Sequence, residues 1–511
     1  MAEREAVLSI PILALLFFLL VLPAADDPGA PFTSASNTSF NVCVDQAPGV
    51  TLTTMPVIAV ARLLTADAVR QRHLARMLTL TLLVLIAGVM LFRLLPAWGV
   101  NDGLRLIAVG AFCVSTFAWA SFTSLSGPGF AAALVLIGVL LLIDYRRQPS
   151  LKTAAQSGLC FGLAIVFDYA VVALALPALA YFVSVERHAV RVSTFVATSL
   201  LLPAAIVAPH NLIVFGEPLP AGLFAWSAPT AATFEQLLIR PAKGMFFWSP
   251  VLHVGLIGMI LMIRHRRREG LLLAGMFLAL TTVVAGRAGV VDEAGFGPQR
   301  LALLIGPLIV AAAWLASLTG AYGRGIFAGL AVGSSLLAAI GVTVAPAMPG
   351  RIANPLWEFA LPLLRENIGA AQAFGLSVRG GFWLMLALVV ALWLVILWYA
   401  EKNHEKPDRR FHRGLGATLA LACVFYAGAS PLLATTEESV LHRVKGEYFM
   451  AQQAYPRAAD EFARSAAVHA DPWTLYYLAR AYYLSGREAE GDAALQRMLA
   501  IDPTFQKGDE P

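Results

Sequence analysis

The chain has 511 residues, 58% of them hydrophobic and 14% charged, with a mean hydropathy of +0.71, whereas soluble domains carry about 45–50% apolar and about 25% charged residues. A water-soluble globular protein is thereby excluded, and the net charge of +5 sits in short loops, where it reports membrane topology and not nucleic-acid binding. Of the four cysteines, Cys113, Cys160 and Cys423 lie inside hydrophobic runs and Cys43 in a polar loop, which leaves no disulfide framework and no CxxC-type metal site.

In chain order, Met1 to Ala25 carries Arg4, an apolar core from Ala6 to Leu22 and a small-residue end. A cleavable signal peptide has the same outline, but this apolar run is long and many others follow, so it reads as an uncleaved first helix. A polar segment rich in Pro, Ser and Thr, Asp26 to Val50, leads to an apolar stretch from Thr51 to Leu64. That stretch is shorter than the roughly 20 residues a crossing needs and is placed along the interface.

Further spans are expected near 77–93, 105–124, 128–144, 155–170, 171–185, 192–214, 246–263, 270–286, 300–318, 323–344, 381–399 and 414–434. With the first helix they give an all-α polytopic bundle of about 13 transmembrane helices. Counted from a cytoplasmic Arg4, the inner loops hold Arg93 and Arg105; Arg146, Arg147 and Lys152; Arg187 and Arg191; Arg264, Arg266, Arg267 and Arg268; Arg324; and Lys402 to Arg413. This is the positive-inside bias. Letting 51–64 cross would invert it. The exception is Arg70, Arg72, His73 and Arg76, which fall outside, where an anionic partner or a lipid headgroup would explain them.

The outer face then comprises a first loop (26–76), the turn at 126–129, Asp168 and Tyr169, a large loop (215–246), Arg287 to Arg300 and a loop at 345–380. A transmembrane domain occupies 1–434. After it the composition changes, and 435–511 reads as a small helical tail on the outer side. There Gly446, Ala458 and Phe462 recur as Ala479, Gly491 and Leu495, each 33 positions on, and both units close on Asp-Pro. The spacing and the stretch YYLARAYYLSGREAEGDAALQRMLAIDP resemble tetratricopeptide repeats, helix pairs of about 34 residues. Two such units are fewer than the three that usually stand alone, so docking on the membrane domain or on another chain is expected.

No phosphate-cradling Gly loop, GxSxG or HExxH occurs, which disfavours nucleotide hydrolysis, serine hydrolysis and zinc proteolysis. What remains is a set of acids and bases at the outer ends of helices, around the stretch from His210 to Leu252. Enzymes working there cannot draw on cytoplasmic sugar nucleotides, and a lipid-linked donor is the physical alternative.

Four segments, in order, carry a resemblance: VDQAPGVTLTTMPVIAVARLL, GLCFGLAIVFDYAVVALALPALAYF, NLIVFGEPLPAG with KGMFFWSPVLHVGLIGM, and AGFGPQRLALLIGPL. Over roughly residues 1 to 320 they resemble membrane glycosyltransferases of the GT-C superfamily, nearest to bacterial relatives of protein mannosyltransferases and of the lipid A aminoarabinose transferase. The resemblance implies a GT-C-like bundle in a bacterial inner or plasma membrane that transfers a sugar from a polyprenyl-phosphate donor to an acceptor (glycan, lipid or protein) on the outer face. It implies no cofactor and no metal, the lipid-linked sugar being a co-substrate. An acid of the first outer loop would serve as general base, and basic residues would hold the phosphate.

Where the family carries an Arg-Phe/Tyr-Asp-Leu-like step, this chain has Pro31-Phe32-Thr33-Ser34, without the acid. Asp27 or Asp26 is then the candidate base, and Asp45 a substrate-orienting residue. Arg300 is the first phosphate candidate, although Gln299 stands between it and Pro298 where the family Arg follows Pro directly. Lys243 and Arg240 come next. Gln299, Glu217 and Asp168 complete the expected substrate-binding set, Asp168 because an acid ending an apolar helix needs a partner or a cavity. Expected partners are the lipid-linked sugar, membrane lipids and a protein meeting 435–511; nucleic acid is not one. The missing acid leaves a catalytically inactive scaffold as the alternative. A transporter or flippase is disfavoured, because the polar groups gather at one face and the two halves show no internal duplication.

Overall fold

The computed structural model describes residues 47–218, 226–287, 295–344, 346, 348–369, 375–402 and 408–503. These residues form 21 helices and no strand; one isolated bridge joins Trp226 to Arg287. In order the helices are α1 (Gly49–Leu64), α2 (Arg70–Trp98), α3 (Asp102–Val114), α4 (Ala118–Thr123), α5 (Gly127–Tyr145), α6 (Leu151–Phe167), α7 (Val171–Val185), α8 (Ala189–Phe215), α9 (Ala231–Leu238), α10 (Met245–Trp248) and α11 (Val251–His265). They continue with α12 (Arg267–Ala285), α13 (Gln299–Leu318), α14 (Gly320–Val344), α15 (Leu361–Glu366), α16 (Val378–Lys402), α17 (Arg409–Leu432), α18 (Glu438–Ala451), α19 (Tyr455–Val468), α20 (Pro472–Leu484) and α21 (Glu488–Ile501).

Eight of these, α2, α5, α8, α12, α13, α14, α16 and α17, are long and apolar enough to cross a membrane, while α1, α6, α7 and α11 are shorter apolar helices. The twelve runs expected after the first helix each fall on described helices, two of them with a break. Run 105–124 divides into α3 and α4 at Ser115–Phe117. No Gly or Pro marks that break; Ser115 Oγ bonds Ser335 Oγ at 2.9 Å, and the Phe117 amide donates to Ser249 Oγ at 2.9 Å. Run 246–263 divides into α10 and α11 at Ser249-Pro250, where a prolyl ring interrupts the helix. The large loop expected at 215–246 itself holds a helix, α9, and the first helix of the chain lies outside the described residues.

Packing ranks the helices from centre to edge. In the apolar windows of α13 and α5, 83% and 78% of residues are buried, against 17% for α8 and 11% for α17. The edge helices show Leu200, Leu201, Leu212 and Ile213, or Leu421, Val424 and Leu432, to their surroundings, as a hydrocarbon-facing surface requires. Where helices do touch, small residues let the backbones approach, since lipid gives apolar side chains no reason to leave it. Along α14, Gly325 faces the Phe411 carbonyl of α17 and Gly329 the Leu415 carbonyl, with no room for a Cβ at the former.

Helix alternation gives the bundle two unlike ends. One gathers the loops with Arg146, Arg147, Arg191, Arg266, Arg324 and Arg409: Arg146 pairs with Glu269 at 2.7 Å and Arg147 donates to the Ala97 carbonyl at 3.0 Å. We call it the basic end. The opposite end carries the described parts of the large loop, the 348–369 segment and the tail.

The tail consists of two antiparallel hairpins, α18–α19 and α20–α21. Gly446 lies against the Phe462 ring and Gly491 against the Tyr483 ring, and Phe462 stacks on Tyr477 at 5.7 Å, joining the hairpins. The docking expected of so short an array is present. Glu358 accepts from the Thr436 amide (2.7 Å), the Thr436 hydroxyl (2.7 Å) and the Asn354 amide (3.0 Å); Phe359 meets the Tyr448 ring edge-on at 5.0 Å.

Candidate functional site

The end opposite the basic loops is built around a turn at Gly295–Gln299 that precedes α13. Gly297 has φ +68°, left-handed backbone that glycine adopts without strain, and a Cβ there would come within 2.9 Å of the Phe117 side chain. The Gly295 amide donates to Met348 O at 2.7 Å and the Phe296 amide to Pro346 O at 3.0 Å, which fixes the turn to the chain leaving α14. The Phe296 ring packs on Trp248, 4.6 Å between centroids. Trp248 therefore serves packing, as does His253 beside Phe246 at 4.9 Å.

Lys243 comes to this turn from the other side. It is 2% exposed, and its Nζ donates to the Gly295 carbonyl at 3.3 Å. The Gln299 side chain lies over Gly295 as well, close enough that a Cβ there would come within 2.7 Å of Nε2. Arg300, the next residue, is half-buried. Two of the expected substrate-binding residues, Lys243 and Gln299, thus meet at Gly295 from segments more than 50 positions apart, and Arg300 follows next in the chain.

Buried cations continue along α4, whose six residues would span about 9 Å from the Phe117 side to Thr123. Arg76, 2% exposed, donates to the Thr123 carbonyl and to His73 Nδ1. The group Arg70, Arg72, His73 and Arg76, expected to find an anion or headgroup, divides: Arg70 pairs with Asp67 at 3.4 Å on the surface, whereas His73 and Arg76 are drawn inside as the first turns of α2. Helix α1, with Leu52, Met55, Leu63 and Leu64 exposed, begins beside them, Gly49 resting on Phe167.

Asp168 ends α6 buried at 5% exposure, its Oδ1 accepting the Ala170 amide at 2.9 Å. That bond caps the α6–α7 turn, so the acid has a structural task. The neighbouring Tyr169 hydroxyl bonds Asn211 Oδ1 at 3.2 Å, and Asn211 Nδ2 donates to Pro218 O at 3.3 Å. Asn211 is fully buried and ties the α6–α7 turn to the start of the large loop. No motif marks it in the sequence; the one signal is an amide inside the apolar run of α8.

Arg240 and Glu217 stand apart from this convergence. Arg240 forms a bidentate pair with Glu235, at 3.0 and 3.2 Å, and both are about half exposed. Hydrogen bonding from that guanidinium holds the Glu235 carboxyl below its usual range. Glu217 is exposed just past α8. The large loop closes on the bundle farther on, where the Ser227 amide donates to Gly286 O at 2.7 Å and the Trp226 ring covers Gly286. Asp26, Asp27 and Asp45 lie outside the described residues.

Chemically, the buried Lys243 cation at the Gly295 carbonyl, with half-buried Arg300 close by in the chain, suits an anion with phosphate character. Among the described residues no group of three or more His, Cys, Asp or Glu is close enough to share a metal ion. No protein-family model matches the chain, and no curated protein matches it.

Proposed function

We propose that this chain is an integral membrane glycosyltransferase with a GT-C-like bundle, which takes a sugar from a polyprenyl-phosphate donor and passes it to an acceptor on the membrane's outer face. One observation carries the reading. The segments KGMFFWSP and GFGPQR, which resemble that superfamily separately, meet through the Lys243–Gly295 bond and bring Gln299 and Arg300 with it. In this reading Lys243 and Arg300 neutralise the phosphate as the glycosidic bond to it breaks, making it a competent leaving group. An acid of the first loop, Asp26, Asp27 or Asp45, takes the proton of the attacking hydroxyl. The short helices α6, α7 and α11, the α3–α4 pair and the N-terminal apolar segment complete about 13 crossings with the eight long ones.

The bias of Lys and Arg toward one end supports a cytoplasmic placement of that end. The candidate site and the tail, here read as tetratricopeptide-like and as a means of recruiting acceptor or partner, are then outside. The experiment is transfer of radiolabelled sugar from polyprenyl-phosphate donors in membranes with and without the protein. Transfer that requires the chain and falls on Arg300→Ala, with the protein still folded, is the expected result. Equal transfer in the Arg300→Ala variant would remove the phosphate assignment, and full activity of all three single Asp→Asn variants would remove the first-loop base. Membranes inactive with every donor would return the chain to the scaffold alternative, which the docked tail favours.

A further inference from the structure

The basic end holds a cavity of about 270 Å³ between the C-terminal ends of α2 and α5 and the start of α12, lined among others by Trp98, Asp144, Arg146, Arg147, Arg266 and Glu269. It is far larger than the roughly 30 Å³ share of one water. Its polar rim has a definite charge balance. Arg146 is matched by Glu269 at 2.7 Å. Arg147 is anchored by the Ala97 carbonyl at 3.0 Å, and Arg266 lies over the Trp98 ring at 5.3 Å, leaving two guanidinium groups against Asp144. Arg264, Arg267 and Arg268 flank the opening in solvent. Its floor is apolar, formed by Leu94, Leu140 and Ile143.

We infer that this cavity binds the phosphodiester headgroup of an anionic phospholipid, as a site separate from the one at the opposite end. The combination argues for a lipid over a soluble phosphate ester. Guanidinium groups grip phosphate oxygens in pairs. The indole of Trp98 and the aliphatic floor suit glycerol and the first acyl carbons, at the depth where Trp residues meet headgroups. On the same helices, exposed Leu82 and Ile86 of α2 and Leu271 of α12 present a lipid-facing surface. Basic pockets between membrane helices hold anionic headgroups by this chemistry.

The test uses the purified full-length protein and native mass spectrometry, counting bound phosphatidylglycerol against phosphatidylcholine, with a thermal-shift titration of each lipid. Tight retention of phosphatidylglycerol is expected, weakened about 30-fold in the Arg147→Gln, Arg266→Gln double variant and unaltered by Arg410→Gln, an exposed arginine at the same end. Ala97→Phe, which narrows the cavity while keeping every charge, should also block binding and guards against a double variant that does not fold. Equal retention of phosphatidylcholine, or unchanged binding in both the double variant and Ala97→Phe, overturns the assignment. Displacement of the lipid by millimolar inorganic phosphate overturns it in favour of a soluble phosphate ester.

Discussion

The two ends of the bundle treat charge in opposite ways. At the basic end arginines are mostly exposed, and their partners are across-helix acids such as Glu269 or the faces of rings such as Trp98. The charges buried at the basic end are acids, Glu186 and Glu269, each matched by an arginine, whereas at the opposite end cations are buried as well: Arg76 and Lys243 are each 2% exposed, near Asp168 at 5%, and backbone atoms are among their partners. Exposed charges set topology and cost little. Buried ones carry a desolvation penalty of several kcal/mol per ion, which stability alone gives no reason to retain. Under the proposed function that contrast singles out the second end for the chemistry, and it can be attacked residue by residue.

The largest effect is expected at Lys243. Lys243→Met keeps the aliphatic stem and the packing but deletes the cation, and donor-dependent transfer should fall about 100-fold, the usual cost of losing one preorganised electrostatic contact. The initial rate of sugar transfer in membranes measures it. A rate within about twofold of the parent would mean that the buried cations are architectural, and the contrast between the ends would lose its functional meaning.

Next comes the contact that runs between the ends. Gly325→Leu inserts a side chain where α17 approaches α14, into the Phe411 carbonyl, and should cost about 2–3 kcal/mol as an overpacked interface. Gly416→Leu on α17 is the control, because nothing lies within 4 Å of a Cβ there. Thermal unfolding in detergent should separate them by several degrees. The displacement should also reach the far end, since Tyr426 of α17 donates to the Phe247 carbonyl in α10.

A smaller loss is expected from Glu358→Gln. Three hydrogen bonds converge on that carboxylate, and exchanging it for an amide should weaken tail docking by about 1–2 kcal/mol. Limited proteolysis after Thr436 would report it as faster release of α18–α21, with the membrane helices still protected. An unchanged cleavage rate would assign the docking to the Phe359–Tyr448 contact instead.

Much of this architecture was legible in the sequence, because a bilayer imposes length and apolarity on whatever crosses it. Each of the expected runs from 77–93 onward falls mainly on helix, and the repeat at 33 positions marks the two tail hairpins. What the sequence hides is mostly tertiary partners far away in it. Arg76 looked like a loop residue, yet α2 extends through it because the Thr123 carbonyl receives its guanidinium. The α3–α4 break depends on Ser249 and Ser335, more than 130 residues on. In the candidate site, Lys243 and Gln299-Arg300 were visible as cations beside Gly-Pro turns, but nothing local said that they meet. Arg240, a second phosphate candidate on its charge, has a local partner in Glu235, five residues earlier. Asn211 went unassigned because a single amide in an apolar run does not reveal what it bonds.

The smallest effect tests the basic end through pH. Between α7 and α8, Glu186 accepts the Tyr145 hydroxyl, the Arg187 and His188 amides and the Arg191 guanidinium. These bonds, the tyrosine's foremost, hold its carboxyl down at about 2. A folded-state pKa below the unfolded value of 4.5 contributes stability that is complete above 4.5 and is lost as pH falls toward 2. The α7–α8 turn should therefore keep its amide protection at Arg187 and His188 from pH 7 down to about 4.5 and lose it progressively as the pH falls from there toward 2. In Glu186→Gln that protection should be weaker at neutral pH and insensitive to acid over the same interval. Hydrogen exchange at the two amides distinguishes the outcomes: if parent and variant respond alike to acid, the turn is held by packing around Tyr145 and Phe182, which lie 4.8 Å apart, and even the basic end keeps one of its acids for reasons other than pairing.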